Sequence, residues 1–220
     1  MLLNTDYSQR IALNTSTLEW VQSPARGVSR KMLERDGQEA ARATSVVRYA
    51  PGAGFESHIH PLGEEILVLE GTFEDEHGVY PMGTYIKNPA GSRHRPFSQE
   101  GCTLFVKLRY LDPEDQTRVV IQTAETPWHP GLVEGLAVMP LSQFQGSHTA
   151  LVRWQPNTTF NPHHHYGGEE IFVLDGTFCD EYGTYPAGTW LRSPHMSSHQ
   201  PFSVTGCTIL VKVGHLDTLS

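Results

Sequence analysis

The sequence predicts an all-β chain built as two tandem, similar antiparallel barrels or jelly rolls. Three observations lead there. Pro51 to Lys107 aligns without a gap to Pro156 to Lys212, with more than half of the positions identical. The apolar runs are short, β-branched and bounded by Gly or Pro, the pattern of strands and tight turns. Helical periodicity is weak throughout, with Gln38 to Thr44 the best and only a short candidate. A repeat of about a hundred residues exceeds the 20–50 residues of a solenoid unit and fits domain duplication instead.

Each element follows from local pattern. Ser45 to Ala50 (SVVRYA) and Ile66 to Gly71 (ILVLEG) read as strands. Gly71 to Tyr85 reads as strand, acidic turn at Asp75 to Gly78, then strand, and Cys102 to Tyr110 as a final apolar strand. Upstream, Thr44 to Tyr49 answers Thr149 to Trp154, and Trp20 answers Trp128, so each unit begins well before its histidines. The polar, Pro-containing stretch Leu111 to Thr117 suits a linker. The expected domains are therefore 1–112 and 113–220, joined in one chain as a pseudo-dimer, with the whole a monomer or a homodimer.

Composition removes several function classes. With 220 residues the chain can bury a sizeable core. The net charge of −8 and the lack of any Lys/Arg cluster argue against nucleic acid. No apolar run reaches membrane-spanning length, and Met1 to Arg10 is too polar for a signal peptide, which leaves the cytoplasm as the expected location. Three cysteines without a CxxC pair fit neither a disulfide scaffold nor a thiolate zinc finger.

The twelve histidines are clustered. His58 and His60 are two apart, so on a strand both face one side. Glu64 follows after a short loop. Gly83, Pro89 and Gly91 signal turns that return His94 to the same place. Three imidazoles and one carboxylate are a mixed N/O donor set for a divalent transition ion, and disfavour Ca²⁺. Zinc, iron, manganese, nickel or copper would each suit it. The second half supplies His163, His165, Glu169 and His199 at identical spacings, while His164 has the opposite parity and should face away. Two metal sites are therefore expected. A single HxH is weak evidence, since histidines also sit in cores and on surfaces; four ligands retained in register in both halves are strong evidence.

Gly52, His58, His60, Glu64 and Gly71 resemble the first cupin motif, and Gly83, Pro89, Gly91 and His94 the second. The fold this implies is a bicupin of two double-stranded β-helix (jelly-roll) domains. In the second half Asn157 and Met196 stand where the first has Gly52 and Gly91, and Ser98 and Ser203 occupy a position that is often Asn. The longer string H-x-H-x-x-GEE-I-x-VL-x-G-TF-x-DE-x-G, followed by YP-x-GT and H-x-PFS-x-x-GC, resembles the cupin-like domain of ChrR-type anti-sigma factors over about sixty residues of each half. The resemblance implies zinc on the eight residues named above and a part in the response to singlet oxygen and organic peroxides. Those factors hold their sigma factor with a separate N-terminal zinc module containing a CxxC. The first fifty residues here read instead as the start of the first barrel, so direct sigma-factor inhibition is not expected.

Other matched residues have plainer readings beside functional ones. Glu65 and Glu170 read as exposed or salt-bridged strand carboxylates, the alternative being groups that orient a ligand histidine. Cys102 and Cys207 read as buried and inert rather than redox-sensing, and Cys179 is given no role. Arg48, Arg153, Lys107 and Lys212 read as strand-face salt bridges, with an inward Arg for an anionic substrate as the alternative. His195 lines a loop or supports the second site. The acidic turns at Asp75–Glu76 and Asp180–Glu181 read as solvated hairpins. Tyr85 and Trp190 read as core, the alternative being pocket lining. The functional expectation is a metal-dependent sensor with a regulatory protein partner. Its alternative is a non-haem metal dioxygenase with a small oxygenated ligand in the barrels, and a third reading is a purely structural zinc site.

Overall fold

The computed structural model describes residues 1–38 and 40–216, nearly all of them in strands and turns. Among these the one helical element is a single 3-10 turn at Thr15–Thr17. The two-domain all-β expectation holds. The helical expectation at Gln38 to Thr44 does not: Arg42 to Thr44 open the strand Arg42–Tyr49, and Glu39 lies outside the described residues. Pairing on both edges outweighs the modest helix preference of a few alanines. The strand bonds Val28–Asp36 on one side and Cys102–Leu108 on the other.

There are two compact units, each discontinuous in sequence. One holds residues 1–5 and 18–126, the other 6–17 and 127–220. In the first unit the main sheet runs Leu2–Leu3, Val28–Asp36, Arg42–Tyr49, Cys102–Leu108, Glu64–Asp75, Thr84–Asn88 and Val119–Gln122. In the second it runs His129–Pro130, Leu136–Phe144, Ser147–Trp154, Cys207–Val213, Glu169–Asp180, Thr189–Ser193 and Ile11–Asn14. The last strand of each sheet is thus borrowed. Ile11–Asn14, from the start of the first repeat, completes the second unit. Val119–Gln122, past the Leu111 to Thr117 stretch, completes the first. Each borrowed strand comes from one repeat and pairs with a sheet edge built by the other repeat. The stretch between repeats is also not wholly solvated: Asp115 is buried and pairs with Lys87 Nζ at 2.6 Å.

Inside each unit the long central strand turns through a tight hairpin into Gly78–Pro81 or Gly183–Pro186. Alternate residues point inward. Ile66, Val68, Phe73, Leu104 and Tyr49 build the first core, and Ile171, Val173, Phe178, Ile209 and Trp154 the second. A short two-stranded ribbon sits beside each sheet: His58–His60 with Ser92–His94, and His163–His164 with Ser198–His199. Asn157 and Met196 keep the turns of the second unit, with φ of 61° and 59° where Gly52 and Gly91 have 75° and 81°. Asn tolerates that region; Met is strained there.

Candidate metal centre

The short ribbon brings the distant histidine home. Its register sets His94 directly opposite His58, and His199 directly opposite His163. His60 and His165 lie two residues further on the same side, and Glu64 and Glu169 open the next strand. In the second unit one donor atom from each of His163, His165, Glu169 and His199 lies within 4.8 Å of all the others; in the first unit the three histidines do so. Glu64 joins them through its Oε2, at 3.6 Å from His60 Nε2 and 3.5 Å from His94 Nε2. The ring centroids of each histidine trio are 4.6 to 5.3 Å apart. His164 is exposed and turned away, as its parity requires.

The remaining nitrogens are fixed from behind. His58 Nδ1 bonds the Glu56 carbonyl at 2.8 Å, and His163 Nδ1 the Asn161 carbonyl at 2.9 Å. His94 Nδ1 bonds Asp75 Oδ2 at 3.2 Å, and His199 Nδ1 bonds Asp180 Oδ2 at 3.1 Å. Occupying Nδ1 leaves each Nε2 lone pair for the common centre, the arrangement that orients metal-ligating imidazoles.

The buried donors demand a partner. His165 Nε2, His199 Nε2 and Glu169 Oε2 are buried with no hydrogen-bond partner, an arrangement that is costly if left unmet. Burial pushes Glu169 up to about 7. Burial, with the neighbouring His199 and His163, pushes His165 down to about 3. Burial also lowers His60 and His163. His94 moves the other way: burial opposes its charge, but the Asp75 hydrogen bond and Glu64 outweigh it. A divalent ion would satisfy the orphaned atoms and hold the donors deprotonated, so the residues present fit a metal.

The structure corrects several plainer readings. Asp75 and Asp180 are not solvated; both are buried behind a histidine of the cluster. Tyr80 and Tyr185 donate to them at 2.9 Å each. In the second unit Arg10, immediately before the borrowed strand, pairs with Asp180 and donates to Tyr185 Oη at 3.2 Å. Burial opposes ionisation of Asp180, but His199 and Arg10 together hold it at about 2. Arg118, immediately before the other borrowed strand, donates to Tyr80 Oη at 2.8 Å. The signal for the aspartates was in the sequence, since each precedes its histidine by the same nineteen positions. The arginines carried none, because only strand exchange delivers them.

Glu65 and Glu170 are buried and bond Tyr85 Oη at 2.7 Å and Trp190 Nε1 at 2.9 Å, so all four belong to the packed face and not to the site. Arg48 and Arg153 are exposed and stack on Trp20 and Trp128, at 3.9 and 4.0 Å from the rings. Lys107 and Lys212 are buried and donate to Thr44 and Thr149. Ser98 and Ser203 donate to backbone carbonyls, and His195 accepts from the Gly167 amide at 2.9 Å. Cys102, Cys179 and Cys207 are buried and free. A cavity of about 480 Å³ opens onto His58, His60 and Glu64 in the first unit. Its counterpart against His163, Glu169 and His199 measures about 160 Å³.

Two successive stretches, residues 8–112 and 116–217, match the family model described as ChrR Cupin-like domain. The chain belongs to that family. Solved structures similar to it include a putative dioxygenase from Nostoc punctiforme, at TM-score 0.76 and 18% identity, covering 94% of this chain and 82% of that one. A Lactobacillus farciminis oxalate decarboxylase in a formate complex matches at TM-score 0.67 and 14% identity, covering 98% and 89%. The bacterial pirin YhhW from Escherichia coli, in complex with nickel(II), matches at TM-score 0.66 and 16% identity, covering 93% and 98%. At these identities the likeness is one of fold. No match was found among curated proteins. Family and fold together make this a tandem cupin whose His/Glu clusters are able to bind metal. No helix among the described residues is long and apolar enough to cross a membrane.

Proposed function

We propose that this protein is a divalent transition-metal-binding bicupin with two centres, His58/His60/Glu64/His94 and His163/His165/Glu169/His199, and that the first also receives a small organic molecule. Zinc, iron, manganese and nickel all suit the donor set. The observation that carries the reading is the convergence of donor atoms on one point in each unit, buried and otherwise unsatisfied in the second and with His60 Nε2 and His94 Nε2 2.9 Å apart in the first. The first centre faces a cavity of ligand size, as a metal-dependent dioxygenase of small oxygenated substrates would require. A bound ion would supply Lewis acidity and open coordination positions. The chain's own part is to fix the imidazoles through Asp75 and Glu56 and to exclude bulk water with the apolar barrel wall.

Elemental analysis of protein purified without added metal tests the first part, with two ions per chain expected. Oxygen uptake by the iron-loaded protein with small diketones tests the second; no uptake and no substrate binding would remove it. Family membership favours a second reading, a sensor of oxidative stress with a regulatory partner. Its trigger would be the metal centre and not the cysteines, because burial pushes Cys102 and Cys207 up to about 11 and leaves little reactive thiolate at neutral pH. Peroxide should then release metal, and full retention after exposure counts against sensing.

A further inference from the structure

The two barrels carry the same metal-type donors but differ in the cavity beside them. The first cavity is about 480 Å³ and the second about 160 Å³. The sheet registers show which residues correspond. Arg30 pairs across from Val47 in the first cavity's wall; in the second unit that place is Val138, across from Val152. Likewise Ser45 answers to Ala150. After the final strand, Arg109 lines the first cavity where the second unit has Gly214.

That last exchange is informative because of the backbone. Arg109 has φ of 65° and Gly214 has 75°. The region suits glycine and is uncommon for a residue with a side chain. In the second unit a side chain has no room, since a Cβ on Gly214 would sit 2.1 Å from the Gly146 carbonyl oxygen. Gly146 belongs to a two-residue hairpin between Leu136–Phe144 and Ser147–Trp154. In the first unit the corresponding strands end at Asp36 and resume at Arg42, and Ala40 and Ala41 of that longer connection line the cavity. The first unit therefore keeps an arginine in a conformation that favours glycine, on the wall of the same cavity that Ala40 and Ala41 line. Strain retained at a cavity wall points to use.

We propose that the first barrel is an anion-recognising site that receives an organic carboxylate, with Arg30 and Arg109 as its specificity-determining residues, whereas the second barrel admits no such ligand. Guanidinium groups match a carboxylate in shape as well as charge. Part of the remaining wall, including Val28, Val47, Phe55 and Leu104, is apolar and suits a hydrocarbon body, while Arg35, Ser45, Glu56 and Ser57 add polar groups to it. The inference rests on the metal reading only for what holds the ligand's other end at His58, His60 and Glu64.

The test uses the full chain, para-fluorobenzoate and its uncharged counterpart para-fluorobenzamide, with affinities read from fluorine-NMR line broadening. The carboxylate is expected to bind at least about tenfold tighter than the amide. Arg30→Val and Arg109→Gly install the residues of the second unit, and each should weaken the carboxylate by about tenfold while leaving the amide unchanged. Arg109→Gly relieves an uncommon backbone conformation, so it should melt no lower than the parent, which separates lost recognition from lost folding. Equal binding of the two probes, no binding of either, or carboxylate affinity untouched in both variants would overturn the proposal. Metal content of the same samples separates the two readings. Two ions per chain without carboxylate selectivity sinks this inference alone. Arginine-dependent carboxylate binding without metal sinks the metal reading alone.

Discussion

At the residue scale the site depends on how nitrogens are apportioned. In each unit Nδ1 of one histidine is held by a backbone carbonyl and Nδ1 of another by a buried aspartate. Asp75 and Asp180 therefore act through His94 and His199, setting ring orientation and keeping Nε2 as the lone-pair face. Replacing either with Asn keeps the shape but removes the charge. Asp75→Asn and Asp180→Asn should each lower metal affinity at their own centre by about 10–100-fold, measured by competition with a chromophoric chelator. Unchanged affinity would show that the backbone alone aligns the rings. The pairs are easy to overlook in the sequence because acidic residues beside Gly at a hairpin usually face water. Burial reverses the inference, and burial comes from the ribbon that folds over each hairpin.

At the element scale the borrowed strands tie the start and the middle of the chain to its metal-type centres. Ile11–Asn14 pairs with Thr189–Ser193 and carries Arg10 to the buried Asp180. The equivalent Val119–Gln122 carries Arg118 to Tyr80 and Asn88 instead, with Nη2 to Tyr80 Oη at 2.8 Å and Nε to Asn88 Oδ1 at 3.3 Å. The two arginines should differ in cost. Arg10→Met leaves a buried carboxylate without its main cation and should destabilise the second unit by about 3 kcal/mol. Arg118→Met removes two hydrogen bonds and should cost closer to 1 kcal/mol. Urea unfolding of the two variants reads the difference, and equal losses would deny Arg10 its special role. A gap-free repeat alignment cannot reveal this exchange, because either half could complete its own sheet with its own strand.

At the scale of the whole molecule, duplication has yielded two units with one donor set and unequal interiors. If both centres hold an ion, chelation should destabilise both units. A site saturated a hundredfold above Kd contributes about 2.7 kcal/mol, so losing one from each unit should lower the melting temperature by about 10–20 °C, and restoring metal should reverse it. Calorimetry showing no shift would mean that the apo clusters are already at rest, against the orphaned atoms of the second unit.

The sequence by itself determined the all-β tandem architecture, the spacing that lets the candidate metal-binding residues cluster, and the outward turn of His164. These depend on strand parity, turn chemistry and repetition, which are local or directly comparable along the chain. Tertiary structure alone decided which strand completes which sheet, that Asp75 and Asp180 stand behind histidines of the clusters, and that Arg30 and Arg109 line a roomy cavity in one unit while Val138 and Gly214 stand in the other. Those outcomes depend on edges meeting, on burial and on loop length across the fold, quantities that no short window of sequence contains.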